Sequence, residues 1–186
     1  SDTLDSEGKV LKTDNKIISL EDMNGAIEHF NGLTYMQEVP IYSAVKVNGK
    51  KLYDYARSNE DVILPKKEVT IYKLELVSFE DEVKIKCKVS KGTYIRALIR
   101  DICAYLGTYG IMTDLVRTKL GDYDKSDAYS LDDISNGKYK LYSLEDIFNL
   151  DVRYINNDNH KQIYNGNIVK DKNSNYILYK DGDKAV

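Results

Sequence analysis

The sequence predicts an α+β fold: helices packed on a mixed, mainly antiparallel sheet, followed by a small β-rich C-terminal module. Three observations predict it. Between Val83 and Val89, the apolar Val83, Ile85, Cys87 and Val89 alternate with Lys84, Lys86 and Lys88, the period-2 pattern of a strand with one inward and one cationic face. After a break at Ser90-Lys91-Gly92, Ile95, Leu98, Ile99, Ile102, Cys103 and Leu106 recur at helical spacing, and Gly107 stands where a C-terminal cap belongs. Beyond Leu150 the composition shifts to Asn, Asp, Lys, Tyr and Gly around short β-like pieces. The tight strand-to-helix turn aims backbone N–H groups and the helix dipole at one point, a natural place for an anion, with Arg96 and Arg100 in the first two turns.

The elements preceding this unit follow in order. Residues 1–18 are expected to hold the end of one strand, a turn at Glu7-Gly8, and a strand through Val10 and Leu11. Ser19-Leu20-Glu21-Asp22 has capping-box character and opens a helix with Leu20, Met23, Ile27 and Phe30 on its apolar face, closed by Gly32. An extended segment runs from Gln37 to Lys46. Asn48-Gly49 is a hairpin-turn dipeptide, and Tyr53 to Arg57 predicts a short helix. Val69, Ile71, Leu74 and Leu76 form a strand whose phase shifts in the middle, most simply at a bulge, and which should pair antiparallel with 83–89.

After the central helix, Ile111 to Lys119 is another strand or an irregular extended stretch, punctuated by Gly121-Asp122. Two short helices are signalled by Ser130-Leu131-Asp132-Asp133 and Ser143-Leu144-Glu145-Asp146. Short strands are expected at Val152–Ile155, Ile168–Val169 and Tyr176–Tyr179. The domain boundary falls near residue 150, giving units of 1–149 and 150–186.

Composition bounds the function. A chain of 186 residues with 42% hydrophobic and 31% charged residues and a mean hydropathy of −0.49 has the make-up of a soluble globular protein. No apolar run approaches the roughly 20 residues of a membrane span. The opening Ser1-Asp2-Thr3-Leu4-Asp5 is acidic, unlike a secretory leader, and carries no initiator Met. The expectation is a cytoplasmic protein whose sequence begins mid-chain here. Cys87 and Cys103 fall on apolar faces and are expected to be buried free thiols. His29 and His160 are isolated, so neither a metal site nor a metal cofactor is expected.

The net charge of −3 conceals a segregation. Residues 1–30 carry seven acids against three lysines, whereas residues 84–119 carry eight Lys and Arg against Asp101 and Asp114. Local potential, more than total charge, governs contact with phosphates. A cationic patch on an acidic chain is therefore compatible with a polyanionic partner, though solvated surface charge would look the same.

Three stretches carry a family resemblance. Tyr42-Ser43-Ala44-Val45-Lys46 with Gly49, Tyr53 and Ala56-Arg57, then Ser90-Lys91-Gly92-Thr93-Tyr94-Ile95-Arg96, then Leu115-Val116-Arg117, resemble in order and spacing the motifs of TruB-type tRNA pseudouridine synthases, relatives of the dyskerin-type enzymes. The likeness covers roughly residues 1–150. It implies isomerisation of a T-loop uridine to pseudouridine without cofactor or metal, with the T-arm of tRNA as partner, by a protein expected to be monomeric. In that family an aspartate attacks the nucleoside, the glycosidic bond breaks, the base reorients and C5 is joined to C1′.

The family's nucleophile sits in a Gly-Thr-Leu-Asp-Pro setting. Thr3-Leu4-Asp5 is followed by Ser6 instead, and Asp2 to Val10 is similar to a later family segment, Thr-Asp-Thr, then Asp, then Gly-x-Val. The nucleophile and the tyrosine that packs on the target base are therefore expected ahead of Ser1, and this stretch alone is expected to be inactive.

The resemblance assigns Arg96 as the catalytic arginine that keeps the nucleophile ionised, a task suited to a planar guanidinium. It assigns Tyr94 to border the flipped uridine and Leu115 to wall the pocket. Lys46, Lys84, Lys86, Lys88, Lys91 and Arg117 would contact RNA, together with Lys50, Lys51 and Arg57. Where the family often has Leu-Arg-Arg, this chain has Leu115-Val116-Arg117 and so one cation fewer. The tail after residue 150 would correspond, by position, to the family's PUA-like RNA-contacting module, possibly incomplete. The competing possibility is a non-catalytic module that holds structured RNA through its basic patch.

Overall fold

A computed structural model describes residues 1–143, 147, 151–154, 160–165, 177–181 and 184–185. It divides into two units, Ser1–Val116 and Arg117–Val186.

In the first unit, Ser19 caps helix α1 (Leu20–Phe30): its hydroxyl accepts from the Asp22 N–H while the Asp22 carboxylate accepts from the Ser19 N–H. That reciprocal pair fixes where the helix starts, and its apolar stripe then buries Met23, Ala26, Ile27 and Phe30. Strand β1 (Thr34–Glu38) leads through an irregular stretch to a hairpin of β2 (Lys46–Val47) and β3 (Lys50–Lys51). Asn48 and Gly49 turn it with φ of 51° and 81°, the left-handed pair that a two-residue hairpin loop requires and that these two residue types tolerate. Helix α2 (Leu52–Ser58) follows directly and buries Leu52.

Strand β4 (Lys66–Phe79) is the spine of the unit. It pairs antiparallel with β1 on one side and with β5 (Val83–Val89) on the other, giving the order β1-β4-β5. The expected phase shift is present as register irregularities between Ile71 and Lys73 and between Leu76 and Ser78. Helix α3 (Ile95–Tyr105) then returns across the sheet. The core gathers α1, β4 and α3: Phe30, Ile71, Leu74, Leu98 and Ile102 are buried, and Ile85, Cys87 and Val89 of β5 pack against them half-buried. Full burial of a side chain such as Leu98 contributes about 1.5–3 kcal/mol, so this packing sets the position of α3 on the sheet.

The second unit opens with a hairpin of β6 (Lys119–Leu120) and β7 (Tyr123–Asp124), a 3₁₀ turn at Lys125–Asp127, and helix α4 (Leu131–Ser135) with a Ser130–Asp133 capping box. Strands β8 (Asp151–Tyr154), β9 (Ile177–Asp181) and β10 (Lys184–Ala185) form a sheet in which β8 and β9 are parallel and β9 and β10 antiparallel. A short helix at His160–Tyr164 has no counterpart in the sequence expectation.

The α+β expectation is borne out. The strand expected through Val10 and Leu11 is not: both residues are 63% exposed, in an irregular run. The N-terminal stretch is pinned instead at Leu4 and Ser6, whose backbones pair with Met112 in one isolated parallel bridge around Asp5. The cap at Ser143-Leu144-Glu145-Asp146 and the strand at Ile168–Val169 lie largely outside the described residues. Among those described, no helix is long and apolar enough to cross a membrane. Both cysteines are free and half-buried rather than fully buried. Burial pushes both thiols up, and the Asp14 carboxylate adds to this at Cys103.

Candidate active site

The strand-to-helix turn brings the N-terminal segment, the Tyr42-Ser43 stretch and α3 together around one side chain. Gly92 takes φ +87°, a conformation side chains rarely adopt, and Ser90 braces the turn. The Ser90 hydroxyl accepts from the Thr70 N–H at 2.9 Å, while Thr93 Oγ1 donates to the Ser90 carbonyl at 2.9 Å. Chain direction thus changes within three residues, and Arg96 lands on the first turn of α3.

The Arg96 guanidinium makes three hydrogen bonds. One terminal nitrogen donates to the Thr3 carbonyl at 2.7 Å and to Asp5 Oδ2 at 3.1 Å; the other donates to the Tyr42 carbonyl at 3.0 Å. Since a guanidinium carries five N–H donors, the fork is held firmly with donors left over. Its side chain retains 23% exposure and that of Asp5 25%, so the pair is sheltered but reachable.

Asp5 is itself held on its other oxygen, which accepts from Thr3 Oγ1 at 2.7 Å and from the Glu7 N–H at 3.2 Å. The Thr3 hydroxyl first, then the Glu7 amide and the Arg96 charge, keep its carboxyl below the usual aspartate value. Leu4, between the two Arg96 partners Thr3 and Asp5, has φ +64°. A left-handed leucine is strained by about 1–2 kcal/mol, and here it lets both neighbours face one guanidinium. Nearby, Ser43 is 7% exposed and its hydroxyl finds no hydrogen-bond partner among the described residues.

The expectation of an anion pocket made from the turn's N–H groups and both arginines needs correcting. The Tyr94 N–H is already given to Gln37 Oε1 at 2.9 Å. Arg100 is committed to β1 and to its own neighbour, with bonds to the Glu38 carbonyl at 3.1 Å, Glu38 Oε1 at 3.4 Å and Asp101 Oδ1 at 2.8 Å. Arg100 therefore fastens α3 to the sheet, and only Arg96 faces the site.

Tyr94 is half-buried at the N-cap of α3. Leu115 lies in an irregular stretch at 52% exposure, more open than a wall closed over a substrate would be. Lys84, Lys86, Lys88 and Lys91 are exposed along β5 and its turn, and Lys46 is exposed on β2. Lys88 faces Lys73 across the ladder, Lys86 faces Glu75, and Glu75 is paired with Lys73 at 2.6 Å. The cationic face is thus partly neutralised at Glu75. Arg117 is exposed at the start of the second unit. Around the hairpin and α2, cations lie over tyrosine rings: Lys50 over Tyr55 at 4.7 Å, and Lys51 and Arg57 over Tyr53 at 5.2 and 5.1 Å.

Sequence reasoning missed the Asp5–Arg96 pair and the burial of Gln37. A usable signal existed for the second: Tyr35, Gln37 and Val39 share one face of a strand by alternation, and Val39 marks that face as inward.

The site is thus an arginine on the first turn of α3, anchored to two backbone carbonyls and the Asp5 carboxylate, with part of its side chain still exposed. Residues 1–95 match the N-terminal domain of TruB family pseudouridylate synthases, and residues 96–152 match the C-terminal domain of tRNA pseudouridylate synthase B. The chain belongs to the TruB family of pseudouridylate synthases.

It is 38% identical to the tRNA pseudouridine synthase B of Caldanaerobacter subterraneus subsp. tengcongensis over 91% of this chain and 60% of the relative. Against the protein of that name from Mycoplasma mycoides subsp. mycoides it is 38% identical over 100% of this chain and 65% of the relative. For the onion yellows phytoplasma protein of that name the figures are 35%, 97% and 69%. The chain thus spans about two-thirds of the length of these curated relatives.

Proposed function

We propose that this chain is the larger part of a tRNA pseudouridine synthase that isomerises the T-loop uridine, and that Arg96 is its catalytic arginine. The observation that carries this reading is the three-point anchoring of the Arg96 guanidinium to Thr3, Asp5 and Tyr42, which leaves N–H donors unspent. A planar fork locked in this way can hold a second carboxylate ionised and correctly turned for attack at C1′. Asp5 serves as the fixed counter-charge of Arg96, and the attacking carboxylate comes from the family's Gly-Thr-Leu-Asp-Pro element. Tyr94, two residues before Arg96, borders the flipped base, and Leu115 closes the pocket when RNA is bound.

The RNA-contacting residues of the first unit are Lys46, Lys84, Lys86, Lys88 and Lys91, and Arg117 of the second unit makes a contact of its own. The support for this is that Lys84, Lys86, Lys88 and Lys91 are all exposed along one strand and its turn, where phosphates can reach them. The segment after residue 150 would make its own contact with the T-arm, with one protein copy per tRNA.

The test is pseudouridine formation on a T-arm hairpin by the full-length protein. Product at the T-loop uridine supports the reading. Tight, salt-sensitive RNA binding with no product would favour the non-catalytic RNA-holding alternative.

A further inference from the structure

We infer that Gln37 is a positioning residue of this site: its carboxamide grips both backbone polar groups of Tyr94 and so fixes how Tyr94 and Arg96 are presented. The inference rests on the proposed synthase function and adds to it a residue outside the motifs that carried the family resemblance to the site.

Gln37 is 1% exposed, on the inward face of β1. Its Oε1 accepts from the Tyr94 N–H at 2.9 Å, while its Nε2 donates to the Tyr94 carbonyl at 3.3 Å and to Tyr35 Oη at 2.9 Å. The partners dictate the amide's orientation, because only one end can accept from an N–H and only the other can donate to a C=O. A side-chain amide here imitates a neighbouring strand. It holds Tyr94 in the extended conformation (φ −91°, ψ 112°) at the point where α3 begins. No side chain caps this helix start from within the turn, so Gln37, fifty-seven residues away, takes that role.

The grip continues into a closed circuit. Tyr35 Oη donates to Asp101 Oδ2 at 2.9 Å, Arg100 donates to Asp101 Oδ1, and Arg100 returns to the Glu38 carbonyl on β1. Gln37 and Glu38 are adjacent, so the circuit leaves β1, crosses to α3 twice and comes back. A buried apolar residue at position 37 would fill the same volume without needing any partner. A fully satisfied polar network instead specifies one arrangement of strand and helix. That arrangement determines where a half-buried Tyr94 and, two residues on, Arg96 stand. A shift of about 1 Å at such groups can lower a rate by about 10²-fold.

The test uses the full-length synthase with Gln37→Leu and Gln37→Glu, following single-turnover pseudouridine formation on a T-arm hairpin, RNA affinity and pH dependence. Gln37→Leu is expected to slow turnover by about 10²-fold with affinity within about threefold of wild type. Gln37→Glu supplies a distinctive signature. The neutral acid can accept from the Tyr94 N–H and still donate one hydrogen bond to the Tyr94 carbonyl, whereas the ionised form can donate none. Burial raises a carboxyl pKa, so this variant's rate should recover as pH is lowered and fall as pH rises, with no matching limb in wild type.

A second readout is independent of activity: in Gln37→Leu the Tyr94 amide should exchange with deuterium about tenfold faster while the Leu98 amide is little changed. Normal turnover in Gln37→Leu, a wild-type-like pH profile in Gln37→Glu, or unchanged Tyr94 exchange each overturns the inference. If Gln37→Leu does not fold, Gln37→Glu carries both measurements. Absence of pseudouridine with wild type alongside faster Tyr94 exchange in the variant would overturn the synthase reading and Gln37's part in catalysis, while leaving the backbone grip established.

Discussion

Arg96 and Asp5, ninety-one residues apart in sequence, meet at 3.1 Å, and the same guanidinium nitrogen that touches Asp5 also holds the Thr3 carbonyl. The pair ties the N-terminal segment to the first turn of α3. Its consequence for stability has a definite sign. The Thr3 hydroxyl, the Glu7 amide and Arg96 hold the Asp5 carboxyl below its ordinary value of 3.8. A depressed aspartate stabilises the folded state above its unfolded pKa, and that contribution is lost as pH falls through the folded pKa.

The first prediction follows from that sign. Asp5→Asn should destabilise the protein by about 1 kcal/mol near neutral pH, and the difference between variant and wild type should shrink below about pH 4. Denaturant unfolding at several pH values measures it. A difference that stays constant down to about pH 2 would mean the ion pair contributes nothing.

Ser43 gives a prediction of opposite kind. Its buried hydroxyl has no hydrogen-bond partner among the described residues, so removing it should not weaken the fold. Ser43→Ala should be neutral or stabilising by up to about 1 kcal/mol. A loss larger than about 1 kcal/mol in denaturant titration would show that the hydroxyl has a stabilising partner.

The lysine face of β5 is testable without touching the core. Lys84, Lys86 and Lys88 are exposed, so replacing all three with alanine should leave the melting temperature nearly unchanged. If they contact phosphates, the slope of log affinity for tRNA against log salt should fall by about one unit per lost contact. An unchanged slope places the RNA surface elsewhere on the protein.

What was legible in the sequence, and what was not, divides by range. The alternation at 83–89 and the helical spacing at 95–106 each encode a local period, and β5 and α3 occupy those residues. Asn48-Gly49 encodes a turn within two residues, and the β2–β3 hairpin is there. Ser19 and Ser130 likewise each announce a helix start that the structure keeps.

The Asp5–Arg96 contact carries no local signal, because no pattern around Asp5 indicates which cation lies across the fold. Val10 and Leu11 have strand-like composition, but the backbone pairing with Met112 falls earlier, at Leu4 and Ser6, and Val10 and Leu11 are exposed. The turn before α3 carried a correct signal for a helix start and a misleading one for an anion. Its Tyr94 N–H is taken by Gln37, and Arg100 by Glu38 and the adjacent Asp101; Gln37 and Glu38 are distant in sequence, so the turn's own residues do not announce them.

The central claim, that Arg96 orients a reacting carboxylate, is tested most directly by Arg96→Lys in the full-length protein. Lysine keeps the positive charge but cannot reproduce a two-pronged planar grip shared among Thr3, Asp5 and Tyr42. The measurement is the single-turnover rate of pseudouridine formation on a T-arm hairpin, beside tRNA affinity under the same conditions. The rate should fall by on the order of 10²-fold or more, with affinity changed far less because many phosphate contacts share it. Near-normal turnover in Arg96→Lys would contradict the account and remove Arg96 from the chemistry.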